Sequence, residues 1–234
     1  MTIRAIVTDI EGTTSSLAFV KEVLFPYADQ HMATFVQQHQ QEPAVAEQLE
    51  ALRVELEQPD LPIDAAVAKL RAWMAADKKA TPLKALQGLL WEAGYRQGDY
   101  TGHVYADAAD YLQRWHERGI KLYVYSSGSV YAQKLLFGHS DYGDLTPLFS
   151  GYFDTNIGHK REAAAYAHIV QELDLPAEQI LFLSDIPAEL DAAKQAGMQT
   201  YCLVREQQAT EGLQHPWGRD FAAVDGVMFV NPEQ

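Results

Sequence analysis

The pattern of apolar and polar positions divides the chain into a short opening strand, a helical stretch and a long alternating part. Residues 3–7 form an apolar, β-branched run that is typical of a buried strand. From about residue 19 to residue 95, apolar residues recur at helical spacing. From about residue 103 onwards, strand-like and helix-like segments alternate, which predicts a parallel sheet covered on both faces.

The helical stretch is expected to contain four helices. They are predicted at residues 19–40, 43–57, 63–76 and 81–94. Pro26 should kink the first helix or start a new one, because proline lacks the N–H that continues a helix. Thr81 is the predicted cap of the fourth helix, with Pro82 at its first position, and Gly94 is its predicted end.

The alternating part completes an α/β fold. Its helices are predicted at 107–118, 130–137, 161–173 and 187–196, and its strands at 120–125, 151–154, 179–183, 199–204 and, as an edge strand, 227–230. We therefore expect a Rossmann-like parallel sheet core, residues 1–16 plus 103–234, with a helical cap domain, 17–102, inserted after the first strand. An insertion at that point suits a lid that closes over a site and excludes water.

Acidic side chains follow two of the predicted strands. Asp9 and Glu11 come directly after the first strand, and Asp185 follows the strand at 179–183. The carboxyl ends of parallel strands meet at one edge of the sheet, where open α/β sheets bind ligands. Three carboxylates in one site would raise each other's pKa values, and a hard cation with oxygen ligands, such as Mg²⁺, would relieve that repulsion. Alternatively, Asp9 and Glu11 belong to a turn, and Asp185 caps the helix that begins at Pro187.

Hydroxyl groups and a lysine complete the candidate site. Ser126, Ser127 and Ser129 follow the strand at 120–125, and hydroxyls and N–H groups at a helix start can hold an anion. Lys160 could neutralise a phosphate oxygen. Alternatively, residues 126–129 form only a flexible turn, and Lys160 is one of the many lysines that proteins expose.

Composition limits the class of protein. The chain has 234 residues, 47% of them hydrophobic, and a formal charge of −14, so nucleic acid and anionic membranes are poor partners. Its single cysteine, Cys202, lies in an apolar run and excludes an internal disulfide. We find no signal peptide and no stretch of about 20 apolar residues, so we expect a cytoplasmic protein.

The order of these motifs resembles the haloacid-dehalogenase (HAD) superfamily of phosphohydrolases. The order is Asp9-Ile-Glu-Gly-Thr, a serine after a strand, a lysine, and an acid after a later strand. The runs Tyr125-Ser-Ser-Gly-Ser, Gln133-Lys-Leu-Leu-Phe-Gly-His-Ser and Gly151-Tyr-Phe-Asp-Thr are similar to those of its enolase-phosphatase branch in methionine salvage. Glutamate at position 11 is typical of that branch, whereas most of the superfamily has aspartate there.

The resemblance implies a fold, a cofactor and a reaction. It implies a Rossmann-like core with a helical cap, one Mg²⁺ per chain, and Asp9 and Glu11 as catalytic residues. The metal would be held by Asp9, Asp185 and Glu11, the last through its backbone carbonyl, and the substrate by Ser126, Ser127 and Lys160. The implied substrate, a small phosphorylated diketone, is 2,3-diketo-5-methylthiopentyl-1-phosphate, and the product is the acireductone 1,2-dihydroxy-3-keto-5-methylthiopentene.

Two rival functions and three open points accompany this interpretation. The first rival is another capped HAD phosphatase or mutase that acts on a sugar phosphate. The second is a phospho-acceptor signalling module of receiver type, which the long insertion disfavours. The superfamily often has a second acid in its last motif, and the role of Glu189 stays open. The residue that removes the carbon-bound proton is not assigned, and we expect a monomer.

Overall fold

Residues 2–205 and 210–229 are described by a computed structural model, in which strand and helix alternate from Gly102 onwards. Six strands of the described residues form one parallel sheet with the order β3-β2-β1-β4-β5-β6. They are β1 (Ala5–Thr8), β2 (Lys121–Tyr125), β3 (Phe149–Phe153), β4 (Ile180–Ser184), β5 (Gln199–Leu203) and β6 (Trp217–Gly218). The predicted fold class, α/β with a parallel sheet, is confirmed.

The α-helices are numbered along the chain. They are α1 (Leu17–Phe19), α2 (Phe25–His39), α3 (Pro43–Glu55), α4 (Ile63–Ala75), α5 (Thr81–Gln97), α6 (Ala106–Glu117), α7 (Val130–Gly138), α8 (Ala163–Leu173), α9 (Pro187–Gln195) and α10 (Phe221–Met228). A π-helical turn, Val20–Leu24, separates α1 from α2. In the part of the chain that the structure describes, no helix is both long and apolar enough to cross a bilayer.

The chain divides into two compact units. The first, called the sheet unit here, comprises the described residues of Met1–Leu17 and Gly102–Gln234. The second, the inserted unit, is Ala18–Thr101. Each unit has its own apolar core: strands β1, β4 and β5 pack with α8 and α9 in the sheet unit, and α2 to α5 pack together in the inserted unit.

Strand β1 is the centre of the sheet unit. All four of its residues are buried, because the strand pairs with β2 on one side and β4 on the other. An apolar, β-branched sequence suits a position covered on both faces. Cys202 in β5 is buried as well, and burial followed by the charge of Asp185 raises the pKa of its thiol to about 11. A buried thiol with a raised pKa is unreactive, because the thiolate is the reactive form.

The helical chain continues through Pro26, and the irregularity predicted there is the π-helical turn Val20–Leu24 rather than a separate helix start. The chain leaves the π-helical turn at Leu24, and α2 begins at Phe25 with the proline in its first turn. The N–H of Phe25 donates to the carbonyl of Val20, so the helical hydrogen bonds are already shifted where the proline, which lacks an N–H, enters α2.

The predicted ends of the fourth helix are wrong. Ala80 is the N-cap of α5, and Thr81 is already its first residue. The helix continues past Gly94 to Gln97 and ends at Gly98, which has a left-handed conformation with φ +78°. Gly94 has another role: a Cβ there would lie 2.7 Å from a ring carbon of Tyr100, so glycine permits the rings to pack.

The predicted edge strand at 227–230 is also wrong. Helix α10 covers Phe221–Met228, and Val230 lies outside the described residues. Asp220 caps the helix by accepting a hydrogen bond from the N–H of Ala223 at 2.8 Å, and this cap overrides the β-branched composition. The edge strand of the sheet is β6 instead, which contains only two residues.

Candidate functional site

Parallel pairing brings the predicted site residues to one edge of the sheet. Thr8, the last residue of β1, is in register with Val124 of β2 and Leu183 of β4. Asp9, the first residue after β1, is therefore level with the last residues of β2 and β4, and Ser126 and Asp185 follow one residue later. The N–H of Asp9 still donates to the carbonyl of Leu183 at 2.9 Å, which fixes the start of the loop.

The Asp9 side chain is buried and held on one oxygen. It is 5% exposed, and its Oδ1 accepts hydrogen bonds from the N–H of Ile10 at 2.7 Å and from Lys160 Nζ at 2.6 Å. Its backbone carbonyl accepts from the hydroxyl of Thr14 at 3.1 Å. Among residues 2–205 and 210–229, the contacts to this carboxylate go to Oδ1, so Oδ2 is the oxygen left for chemistry.

Lys160 joins two carboxylates inside the protein. Its Nζ lies 2.6 Å from Asp9 Oδ1 and 2.7 Å from Glu189 Oε2, and its carbonyl accepts from the hydroxyl of Tyr166 at 2.7 Å. Burial alone would lower the pKa of the ammonium group, but the charges of Asp9 and then Glu189 outweigh burial and hold the pKa above its ordinary value. Lys160 is therefore positively charged at neutral pH, and the alternative in which it is an exposed surface lysine is wrong.

Glu189 is the site residue whose role the sequence left open. It lies in the first turn of α9, is 8% exposed, and accepts from Ser184 Oγ at 2.9 Å as well as from Lys160. Burial, and then the charge of Asp9, raise the pKa of its carboxyl group. An acid in the first turn of a helix is a weak sequence signal, since such acids commonly only complement the helix dipole.

Asp185 carries the clearest sign of a missing positive partner. It is 4% exposed, and its Oδ1 is buried without a hydrogen-bond partner among the described residues. Burial, and then the charge of Asp9, raise the pKa of its carboxyl group to about 7. Asp185 does not cap a helix, because the N-cap of α9 is Ile186. The alternative in which Asp185 is only a helix cap is therefore wrong.

Gly12 allows the loop after β1 to approach Asp185. A Cβ at this glycine would lie 2.3 Å from Asp185 Oδ2, and its φ of +74° is a conformation that other residues rarely adopt. Glu11, one residue earlier, is half-buried, and its backbone pairs with Ser15 in an isolated bridge. The loop 9–15 is thus closed on itself directly beside Asp185.

The loop after β2 has the expected hydroxyl groups. Ser126 is 5% exposed and its Oγ accepts from the N–H of Gly128 at 3.2 Å, whereas Ser127 is exposed. Ser129 is the N-cap of α7 and accepts from the N–H of Ala132 at 3.2 Å. Ser126 and Ser129 therefore both accept hydrogen bonds from backbone N–H groups of the loop and of the helix that it enters.

The donor set fits a small divalent cation. The unpartnered Oδ1 of Asp185 and the raised pKa of that carboxyl group both indicate a place where positive charge is lacking. No group of three or more His, Cys, Asp or Glu side chains in residues 2–205 and 210–229 is arranged to hold a metal. The buried carboxylates of Asp9 and Asp185 are oxygen ligands of the kind that such a cation prefers.

Comparison with known proteins identifies the family. The family model of haloacid dehalogenase-like hydrolases matches residues 3–197, which include all the site residues. Enolase-phosphatase E1 of Methylococcus capsulatus is 58% identical over 222 residues, 95% of this chain and 97% of that protein. Enolase-phosphatase E1 of Pseudomonas aeruginosa is 57% identical over 224 residues, 96% of this chain and 99% of that protein.

A solved structure agrees over the same length. The UTR4 protein of Saccharomyces cerevisiae superposes with a TM-score of 0.81 at 35% identity, covering 94% of this chain and 99% of that one. The HAD-hydrolase YfnB of Bacillus subtilis, at 13% identity, has a TM-score of 0.64 over 98% of this chain and 100% of that one, a likeness of fold alone. The chain therefore belongs to the enolase-phosphatase E1 family of haloacid dehalogenase-like hydrolases, and it is a phosphatase.

Proposed function

We propose that this chain first enolises 2,3-diketo-5-methylthiopentyl-1-phosphate, by loss of a carbon-bound proton and protonation of the ketone oxygen, and then hydrolyses the enol phosphate to 1,2-dihydroxy-3-keto-5-methylthiopentene and phosphate, in methionine salvage. The observation that carries the proposal is the buried group of Asp9, Lys160 and Asp185 at one sheet edge, in a chain 58% identical to an enolase-phosphatase. A small phosphorylated substrate suits a site with one strong cation and an uncommitted carboxylate oxygen.

Asp9 is the proposed nucleophile. Its Oδ1 is held by Ile10 and Lys160, so Oδ2 attacks phosphorus and forms an aspartyl phosphate while the ester P–O bond breaks. The side chain of Glu11 gives a proton to the leaving oxygen. It then takes a proton from the water that attacks the aspartyl phosphate, which returns Asp9 as a carboxylate and releases phosphate.

The remaining site residues hold the phosphoryl group. The Lys160 ammonium, with its raised pKa, pairs with a phosphoryl oxygen at all physiological pH values. Ser126 and Ser127 donate from their hydroxyl groups to the other oxygens. Glu189 keeps Lys160 in place, since it holds the same Nζ at 2.7 Å and is itself fixed by Ser184.

A divalent metal ion is implied by the family, and Mg²⁺ is the proposed one. Asp9, Asp185 and the backbone carbonyl of Glu11 would hold it, and when bound it would offset the negative charge that develops on the phosphoryl oxygens. A cytoplasmic location, a monomeric state and the absence of nucleic-acid partners stay predictions.

The test is multiple-turnover phosphate release from the diketo phosphate, with ultraviolet detection of the enediol. We expect turnover that is lost in EDTA and restored by Mg²⁺, and Asp9→Asn should remove it while leaving the fold intact. A panel of sugar phosphates serves as the control for the rival function. Faster release from a sugar phosphate than from the diketo phosphate, or full turnover by Asp9→Asn, would refute the proposal.

A further inference from the structure

One buried amide holds the loop after β2. Gln133 lies in the second turn of α7 and is 2% exposed. Its Nε2 donates to two backbone carbonyls, that of Gly128 and that of Phe153, each at 2.8 Å. Because both partners are acceptors, the nitrogen of the amide must face them. One side chain thus ties the loop to the end of β3.

The same residues fix both ends of the loop. The carbonyl of Phe153 also accepts from the N–H of Ser126 at 3.1 Å, where the loop leaves β2. The carbonyl of Ser129, where the loop enters α7, accepts from the backbone N–H of Gln133 at 3.0 Å. The start, the middle and the end of the loop therefore all depend on Gln133 or on its partner Phe153.

Gly128 is the position that needs this support. A Cβ built there would meet only Ser126 Oγ, at 3.7 Å, so surrounding atoms do not restrict the glycine. Glycine also has the widest choice of backbone angles. Because a peptide unit is planar, holding the Gly128 carbonyl also fixes the direction of the Ser129 N–H on the opposite side.

The amide of Gln133 brings a cost as well as two favourable hydrogen bonds. Gln133 Oε1 is buried and has no hydrogen-bond partner among the described residues. A buried acceptor without a partner costs free energy that an apolar side chain of equal size would avoid. The benefit of the amide must therefore lie in the two donated bonds and in the loop conformation that they fix.

We propose that Gln133 is a positioning residue that holds the Ser126–Ser129 loop in the conformation that receives phosphate. This inference rests on the proposed function, in which that loop binds the phosphoryl group. Gln133 itself touches the loop backbone and not the substrate. It acts by reducing the conformational freedom that the loop would otherwise lose on binding.

The experiment compares two glutamines in the full-length protein. Gln133→Met keeps the size of the side chain and removes both donors. Gln179→Met is the matched control, because Gln179 precedes β4 at the opposite edge of the sheet and its Oε1 is also buried without a described partner. The measurements are the Kd of inorganic phosphate by calorimetry in Mg²⁺, KM and kcat for phosphate release, and Tm.

We expect Gln133→Met to weaken phosphate binding and raise KM by about ten-fold or more, as the loss of two hydrogen bonds implies. Gln179→Met should bind phosphate like the wild type. Equal phosphate affinity in the two variants would overturn the inference. If the wild type neither binds phosphate nor releases it from the substrate, the proposed function itself fails.

A second variant separates loop placement from general destabilisation. Gln133→Glu places a carboxylate against two carbonyls, and protonation of that buried acid restores one donor. The ratio of its phosphate Kd to that of the wild type should therefore shrink as the pH is lowered from about 8 to about 6. A ratio that stays constant and large over this range would overturn the inference, even if Gln133→Met does not fold.

Discussion

The sheet unit and the inserted unit bury different kinds of side chains. The inserted unit buries an apolar cluster from α2 to α5 that includes Met32, Leu49 and Leu70, and among its residues Gln87 is the only buried polar side chain. The sheet unit buries charged side chains as well. They are Asp9, Lys160, Asp185 and Glu189.

Ion pairs show the same difference. Arg71 and Asp29 in the inserted unit are both more than half exposed, although Arg71 Nε lies 2.9 Å from Asp29 Oδ1. Exposed pairs of this kind contribute little to stability, whereas buried charges are costly unless each one has its partners. The inserted unit is therefore stabilised mainly by apolar packing. The sheet unit instead keeps buried charges at one edge of the sheet, an arrangement that is common at functional sites.

The largest expected effect is the loss of the buried cation. Lys160→Met leaves Asp9 and Glu189 close together without a positive partner, so it should lower the free energy of unfolding by about 3–5 kcal/mol at neutral pH. The matched control is Lys79→Met, which breaks the exposed pair with Asp77 in the inserted unit. This substitution should change the free energy of unfolding by less than about 1 kcal/mol. Urea unfolding in EDTA measures both, and equal effects would abolish the contrast between the units.

Replacing Asp185 should have the next largest effect on the free energy of unfolding, and it should raise that free energy rather than lower it. Its pKa of about 7 lies above the ordinary 3.8, so the folded protein binds the extra proton, and the metal-free protein should lose stability as the pH rises from about 4 to about 7. Asp185→Asn removes this loss and should stabilise the metal-free protein by roughly 2–4 kcal/mol at pH 8, with little change at pH 4.

The control for Asp185→Asn comes from the inserted unit. A hydrogen bond from Arg71 lowers the pKa of Asp29, so Asp29→Asn should not stabilise the protein at pH 8. Addition of Mg²⁺ should raise Tm in the wild type and in Asp29→Asn, but not in Asp185→Asn. Thermal unfolding over a pH series, with and without Mg²⁺, tests these expectations. A rise in Tm for Asp185→Asn with Mg²⁺ would show that Asp185 is not a metal ligand.

Two glycines give the smallest and most closely matched comparison. Gly12 and Gly98 have nearly the same φ, +74° and +78°, so alanine at either position costs about 1–2 kcal/mol of backbone strain. At Gly98 a Cβ meets nothing within 4 Å, whereas at Gly12 it meets Asp185 Oδ2 at 2.3 Å. Gly12→Ala should therefore cost about 1–3 kcal/mol more than Gly98→Ala and also weaken Mg²⁺ binding. Equal losses in chemical denaturation would show that Asp185 moves freely.

The sequence could predict the parts of the site that follow from strand order. Asp9, Ser126 and Asp185 come together because each follows a strand of one parallel sheet, and that consequence needs no side-chain detail. Glu189 and Gln133 could not be assigned in this way. Whether a residue in an early turn of a helix points to the site depends on how that helix packs against the sheet, and hydrophobic spacing does not fix that direction.

Helices and strands could be predicted from the sequence where the hydrophobic periodicity was strong. The predictions were wrong where a single residue sets the end or the type of an element. Gly94 and Gly98 are both glycines near the end of one helical pattern, and the pattern does not distinguish them. Gly94 allows aromatic rings to pack, whereas Gly98 ends α5. Asp220 is the N-cap of α10, so the segment Phe221–Met228 is helical where its valines suggest a strand. The role of the inserted unit as a lid stays a prediction.

The central claim is that Asp9 captures the phosphoryl group. The most direct measurement is to mix the Mg²⁺-loaded protein with the diketo phosphate, quench with acid within a single turnover, reduce with borohydride and locate the modified residue by mass spectrometry. We expect reduction at residue 9, and none in Asp9→Asn. A modification that resists hydroxylamine or lies at another residue, or phosphate release with residue 9 never labelled, would contradict it.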